Sequence, residues 1–248
     1  MFETLLTQPF FNLFVALYNL IPDAGIVIIL VTIFLKLALY PLTSKSIKAQ
    51  KSLTDLQPKL EELKKQYKDN QQALAQETLK LYKEHKVNPV GSCLPLLIQL
   101  PIFIALYQVL RSALAPNDFH LLYSFVHNPG TINSVSFGFL DLAKPNVILA
   151  VLAGAAQFWQ TRMFNRRTPP KAAGEGGKDE SIMANMNKQI MYMLPVVTVI
   201  AGLQFPAGLA LYWFLTTLLT ALQQLLVFRS HEKNKKDDSD VIEGKIVS

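Results

Sequence analysis

Residues 189–228 form a run of 40 residues without a charged side chain, and this run constrains the fold more than any other feature. As one helix it would be about 60 Å long, because a helix rises about 1.5 Å per residue. The hydrocarbon core of a bilayer is roughly 30 Å thick and takes about 20 helical residues per crossing. Residues 92–110 form a second uncharged run, and only 17% of all residues are charged, which is few for a soluble domain. The chain is therefore predicted to be a polytopic membrane protein.

Five spanning helices and an all-α fold are predicted from the apolar runs. The longest run is sufficient for two crossings, and its residues Pro206 and Gly208 are typical of a tight turn between them. The predicted spans are 24–43, 92–112, 145–163, 189–204 and 207–228.

Residues 1–23 are predicted to form an amphipathic helix that lies in the membrane interface. Gln8, Asn12 and Asn19 share one helical face, while large apolar side chains cover much of the rest. A sixth span is the alternative, because residues 4–22 carry no charge. The short link that would join such a span to the next one favours the interfacial helix.

Lysine and arginine residues are concentrated in segments that are predicted to be cytoplasmic. The segment 44–91 carries ten of them, 162–188 carries six, and the tail 229–248 carries five. Positively charged loops stay in the cytoplasm, so the N-terminus is predicted outside and the C-terminus inside. Residues 113–144 then form an exterior loop and 164–188 a cytoplasmic loop. No transit peptide is evident, so a bacterial plasma membrane is the expected location.

The segment 44–91 is predicted to be a cytoplasmic helical hairpin. Its first helix carries a seam of apolar residues at steps of three and four, namely Leu53, Leu56, Leu60, Leu63 and Tyr67. Pro58 should kink this helix or begin a new one, and a second helix follows a polar break at Asn70. The hairpin is either a solvated charged connector or a docking element. Its basic face suits both anionic lipid and ribosomal RNA, and the sequence does not separate the two.

Lys36 lies deep in the first predicted span. Burying such a charge costs roughly 2.5–3.5 kcal/mol on insertion scales, so charged residues in spans usually face a bundle interior or a water-filled cavity. The alternative is snorkelling, because the lysine stem is long and the cytoplasmic end of the span is about a turn and a half away. Thr32 and Tyr40 lie four residues to either side, which makes one face of this span polar.

Other predicted spans carry polar residues as well. They are Gln99, Gln157, Gln160, Tyr212, Thr216, Thr220 and Gln224, the last four of which repeat every four residues. Each alone is explained by an interhelical hydrogen bond worth about 0.6 kcal/mol. Together with Lys36 they predict a polar cavity that holds water inside the bilayer.

The sequence offers no site for a cofactor or a metal ion, and none is expected. The glycine-rich stretch 174–179 lacks the spacing of a phosphate-binding loop, and the four histidines lie in different segments. Cys93 is the only cysteine, which excludes an intrachain disulfide framework. An enzyme is therefore not expected, whereas a channel, a small-solute transporter and a structural scaffold remain as alternatives.

Four stretches of the sequence closely resemble the YidC family of membrane protein insertases. They are VTIFLKLALYPLT, LQPKL, LYKEHKVNPVGSCLPLLIQLPIFIALY and QFPAGLALYWFLTTLLTALQQLLVF, in the family's order. The resemblance implies a five-helix core around a hydrophilic groove that is open to the cytoplasm and to lipid. It implies a protein that receives nascent membrane segments and releases them laterally without consuming nucleotide. The resemblance also implies activity alone or beside the Sec translocon, while membrane lipids and the ribosome are the partners expected from the basic hairpin and tail.

The residues assigned to the groove are Lys36, Thr32, Gln99, Gln157, Tyr212, Trp213 and Thr216. The resemblance places Lys36 where the family usually carries an arginine, and Thr32, Gln99 and Trp213 where residues line or flank the groove. Arginine stays charged, whereas a desolvated lysine can lose its proton. No large exterior domain precedes the core, so a minimal homologue or a trimmed chain is expected.

Overall fold

The computed structural model describes residues 1–68, 70–114, 118–165 and 192–246, and most of them are helical, so the all-α prediction is confirmed. The helices are α1 Gln8–Leu20, α2 Ala24–Ala38, α3 Tyr40–Asp55, α4 Gln57–Gln66, α5 Gln71–Glu84, α6 Pro89–Leu114, α7 Val147–Asn165, α8 Tyr192–Gly202 and α9 Ala207–Ile246. A π-helical segment, Glu3–Thr7, runs into α1, and the strands β1 Val135–Ser136 and β2 Leu140–Asp141 pair antiparallel. Most of the predicted loop 164–188 lies outside the described residues.

The chain divides into two compact units. The first contains α1, α2, most of α6, the two strands, α7, α8 and the start of α9. The second contains α3, α4, α5 and the rest of α9. All the residues assigned to the groove belong to the first unit.

The core of the first unit is apolar and joins α1, α2, α6 and α9. Phe11 and Phe14 of α1 are buried together with Ile28 of α2 and Leu110 of α6. Between helices that span a bilayer such packing is stabilised by van der Waals contact, because lipid tails are as apolar as these side chains. Gly208 lets three helices meet, because a Cβ there would lie only 3.2 Å from Ile28 Cδ1 and 3.3 Å from Leu110 Cδ1.

Asn12 lies on the polar face of α1 but is buried rather than exposed to water. Its Nδ2 donates to the Leu121 carbonyl at 2.8 Å, and its Oδ1 accepts from the Tyr123 N–H at 2.7 Å. The physical reason is that backbone groups on buried surface need hydrogen-bond partners, which a buried amide side chain provides. The position of α1 in a membrane interface stays a prediction.

The β-hairpin at 135–141 is not predicted from the sequence. Phe137 and Gly138 have φ angles of 54° and 80°, and the Phe139 N–H donates to the Ser136 carbonyl at 3.2 Å. Because Ser136 pairs with Leu140, the loop between the two strands consists of the three residues 137–139. The left-handed conformation is unusual for phenylalanine, so other contacts must hold the turn.

Asp23 holds this turn against the N-terminal end of α2. Its Oδ2 accepts from the Phe137 N–H at 2.8 Å, and its Oδ1 accepts from the Ser136 hydroxyl. The same carboxylate caps α2, because it accepts from the N–H groups of Gly25 and Ile26 at 2.9 and 3.1 Å. One side chain thus ties together two elements that are far apart in sequence.

The second unit contains two short helices, α4 and α5. The predicted apolar seam is divided between helices, because Leu53 lies in α3 whereas Leu60 and Leu63 lie in α4. Pro58 lies in the first turn of α4 and so begins a new helix, one of its two predicted effects. Asn70 begins α5 by accepting from the Ala73 N–H at 3.0 Å. Lys59 Nζ of α4 lies 2.8 Å from His85 Nε2, which directly follows α5. The cytoplasmic location of this hairpin stays a prediction.

Two stretches in the described ranges are long and apolar enough to cross a membrane, Leu97–Leu114 and Ala207–Arg229, judged by length and composition alone. Helices α2 and α3 pass the same test only as a pair. The first predicted span, 24–43, is therefore not one continuous helix. Pro41 explains the break at Leu39, because a proline lacks the N–H and clashes with the carbonyl four residues earlier. The count of five spans stays a prediction.

Candidate functional site

Lys36 lies in the last turn of α2 and is half-buried. Helix α2 ends at Ala38, where the Leu39 N–H donates to the Leu35 carbonyl at 2.9 Å, and the C-terminal end of a helix carries partial negative charge. A cation at such a helix end is stabilised by about 0.3–1 kcal/mol at an exposed site. The break at Leu39 therefore gives Lys36 an electrostatic support that the apolar run by itself does not predict.

Thr32 lies one turn before Lys36 on α2 and is 1% exposed. Its hydroxyl donates to the Ile28 carbonyl at 2.6 Å, so its proton is used within the helix. The hydroxyl oxygen keeps lone pairs that can still accept a hydrogen bond. Thr32 can therefore offer an acceptor, but no free donor, to a ligand.

Gln99 and Tyr212 are brought into direct contact between α6 and α9. Gln99 Nε2 donates to the Tyr212 hydroxyl at 2.7 Å. Thr216 lies one turn further along α9. Tyr212 and Thr216 are buried, whereas Gln99 is half-buried. These three residues form a polar cluster with one member that reaches towards the surface.

Trp213 stands beside this cluster and belongs to an aromatic group. Its ring lies 5.3 Å from that of Phe103 at an angle of 77°, an edge-to-face contact. Phe103 also meets Phe205 at 6.1 Å, and Phe205 meets Tyr107 at 5.8 Å. The sequence analysis missed these three residues, although the spacing of Gln99, Phe103 and Tyr107 at steps of four predicts a shared face of α6.

The hydrogen bond of Gln157 is not made to the polar cluster of Gln99, Tyr212 and Thr216. Its Nε2 donates to Gln160 Oε1 on the same helix, α7, at 3.4 Å. Helix α7 packs closely on α8, because a Cβ on Gly154 would lie 2.3 Å from Val199 Cγ2. The two α7 glutamines among the predicted cavity residues are thus partners of each other.

The polar residues on α2 follow an apolar stretch of the same helix. Val27, Ile28 and Val31 are buried in the core of the first unit, and Thr32 and Lys36 come after them. Leu110 of α6 is buried in the same core. The described part of the chain contains no group of three His, Cys, Asp or Glu side chains that could hold a metal ion. Along α2, buried apolar side chains thus come before the polar residues Thr32 and Lys36.

Residues 16–235 match the model of the family described as 60Kd inner membrane protein. Membrane protein insertase YidC of Fusobacterium nucleatum is 38% identical over 205 residues, which are 83% of this chain and 86% of that protein. Membrane protein insertase YidC of Actinobacillus succinogenes is 36% identical over 231 residues, which are 92% of this chain and 38% of that protein.

A crystal structure of an active YidC insertase, with its first transmembrane domain resolved, has the same fold. The TM-score is 0.58 at 28% sequence identity, and the match covers 86% of this chain and 44% of the crystallised one. The chain thus spans most of the Fusobacterium relative but less than half of the Actinobacillus relative. The family model covers most of the sequence, and both relatives are YidC insertases. The chain therefore belongs to the YidC family of membrane protein insertases.

Proposed function

We propose that this chain inserts nascent membrane segments through a hydrophilic groove that opens to the cytoplasm and to lipid. The groove residues are Lys36, Thr32, Gln99, Gln157, Tyr212, Trp213 and Thr216. An incoming segment enters from the cytoplasmic side and leaves sideways into the bilayer. The burial of its apolar surface in lipid drives the release, so no nucleotide is hydrolysed.

The hydrogen bond between Gln99 and Tyr212, with Thr216 one turn further along α9, is the observation that carries this proposal. A polar chain crossing hydrocarbon meets no partner for its hydrogen-bonding groups, and each unsatisfied group is costly. Polar side chains part of the way into the membrane shorten that apolar path. The buried apolar residues around Ile28 and Leu110 support a groove that is closed at the other end.

Lys36 supplies the positive charge of the proposed groove. Acidic side chains in the hydrophilic part of a substrate would be attracted to it, which lowers the cost of bringing them below the membrane surface. The carbonyl end of α2 helps to keep the ammonium group in this position.

The topology and partners belong to the same proposal. The N-terminus lies outside, the C-terminus in the cytoplasm, and five spans cross a plasma membrane. Ribosomes carrying nascent chains meet the basic hairpin at 44–91 and the tail at 229–248, and the Sec translocon and membrane lipids are further partners. The concentration of lysine in the hairpin supports contacts with anionic surfaces.

Cysteine crosslinking tests the groove. Single cysteines replace Thr32, Gln99 and Trp213 in a Cys93→Ser background, and a ribosome-stalled single-span substrate carries a cysteine in its apolar segment. Phe34→Cys is the matched control, because Phe34 lies on α2 but is 58% exposed on the apolar surface. We expect crosslinks at the three groove positions. Crosslinks at the control position alone would refute the proposal.

A further inference from the structure

Two adjacent glutamines on α9, Gln223 and Gln224, are both buried but differ in their hydrogen bonds. Gln223 Nε2 donates to Thr43 Oγ1 and to Ser44 Oγ, both at 2.9 Å. It also lies 3.3 Å from the Tyr40 carbonyl, and Gln223 Oε1 accepts from the Thr43 hydroxyl at 3.2 Å. Both hydrogens of the Gln223 amide, and its oxygen, therefore take part in joining α9 to α3 within the second unit.

Gln224 is 2% exposed, and no donor from the described part of the chain reaches its Oε1. Leaving an acceptor buried without a donor costs free energy, so such groups are rare in folded proteins and are candidates for a functional role. Gln224 also has a place in a pattern. It continues the row of Tyr212, Thr216 and Thr220 at steps of four, which forms one ridge along a helix.

We infer that Gln224 Oε1 is an acceptor for backbone N–H groups of the polypeptide segment that is being inserted, an inference that rests on the proposed function. A segment that has not yet formed its helix carries backbone N–H groups without partners, and these are expensive in an apolar environment. Gln224 can accept one of them without giving up a bond of its own. Gln223 Oε1, by contrast, already accepts from the Thr43 hydroxyl.

The chemistry of this contact makes it independent of side-chain sequence. Every residue except proline presents the same backbone N–H, so the acceptor suits any extended segment. In the resting protein the buried oxygen is an unfavourable feature. When a substrate N–H donates to this oxygen, the free-energy cost of the unpaired acceptor is removed. The substrate-bound state is favoured over the resting state by that free energy.

Replacement of Gln224 by methionine tests the acceptor. Methionine has a similar length and no strong acceptor, so Gln224→Met should leave Tm unchanged or raise it. Its rate of inserting a single-span substrate into proteoliposomes, scored by protease protection, should fall roughly fivefold. Gln223→Met is the matched control. It should lower Tm, while the rate per folded molecule stays at the wild-type value.

A second pair of substrates identifies the donor. Both carry hydrophilic tails of equal length and charge, one rich in glycine and serine and one rich in proline, which lacks the N–H. Gln224→Met should slow the first substrate and leave the second at its wild-type rate. The inference would be overturned if Gln224→Met slowed both substrates equally or inserted both at the wild-type rate. It would also be overturned if Gln224→Met lowered Tm as much as Gln223→Met does. Wild-type protein that inserts no more substrate than protein-free liposomes would instead refute the proposed function.

Discussion

Replacing Asp23 by alanine removes one carboxylate that serves two elements at once. Its oxygens accept from the N–H groups that begin α2, at Gly25 and Ile26, and from the Ser136 hydroxyl and the Phe137 N–H of the β-hairpin. We expect Asp23→Ala to loosen the hairpin and the start of α2 together. The exposed turn would then lose the contacts that hold Phe137 in its left-handed conformation.

The expected loss follows from these contacts. Removing an N-cap side chain costs about 0.5–2 kcal/mol. The two bonds to the hairpin contribute about 0.5–1.5 kcal/mol each. Because Asp23 is half-buried and the terms are not additive, we expect a total of about 2–3 kcal/mol. For a chain of this size that lowers Tm by about 4–12 °C.

Thermal unfolding of purified protein in detergent, followed by circular dichroism, measures this loss. Asp118→Ala is the matched control, because that carboxylate is exposed and lies beside His120 on the surface. Its Tm should change by no more than about 2 °C. An Asp23→Ala variant with the Tm of the Asp118→Ala control would refute the reasoning.

The same carboxylate predicts a pH dependence. Burial raises the pKa of Asp23, but hydrogen bonds from the Ser136 hydroxyl and three backbone N–H groups outweigh this and hold the pKa below its ordinary value of 3.8. Its stabilising contribution is therefore complete at neutral pH and is lost as pH falls through that value towards the lowered pKa. The Tm difference between wild type and Asp23→Asn should shrink between about pH 5 and pH 3. A difference that grows on acidification would contradict this sign.

Two further substitutions test the packing of the first unit. Gly25→Ala places a Cβ 2.2 Å from Ser136 Oγ, so we expect a loss of about 1–3 kcal/mol, seen as a lower Tm despite the better helix propensity of alanine. Tyr212→Phe removes the acceptor of the Gln99 amide, so we expect a stability loss of about 0.5–1.5 kcal/mol and slower insertion. Tyr192→Phe is the control, because Tyr192 is 51% exposed. It should change neither Tm nor the insertion rate.

The helices could be predicted because their signals are local. Uncharged runs are enough to locate α6 and α9, and Pro58 is enough to locate the start of α4. Gln99 and Tyr212 could be predicted as site residues because they are polar side chains inside such runs, and they are hydrogen-bonded to each other. Their role in binding a substrate stays a prediction, since a contact does not by itself identify a ligand.

The remaining features depend on contacts between distant residues. The two-residue strands at 135–141 are too short to show periodicity, and the turn at Phe137 is held by Asp23 from another part of the chain. Asp23 itself has a local signal, an aspartate before an apolar run, which is typical of a helix N-cap. The burial of Asn12 has none, because the sequence does not show that the backbone near Leu121 will need a partner. The helix break after Ala38 is not predicted either, because residues 24–43 are assigned to one span, although Pro41 is a local signal for it.

The central claim is that a cation in a polar groove assists the insertion of hydrophilic segments. Its most direct test compares wild type, Lys36→Arg and Lys36→Ala in proteoliposomes, with single-span substrates whose tails are either acidic or neutral. We predict that Lys36→Arg inserts both substrates at the wild-type rate. Lys36→Ala should insert the acidic substrate about tenfold more slowly, equivalent to about 1.4 kcal/mol, and the neutral one nearly normally. Insertion of the acidic substrate by Lys36→Ala at the wild-type rate would contradict the claim.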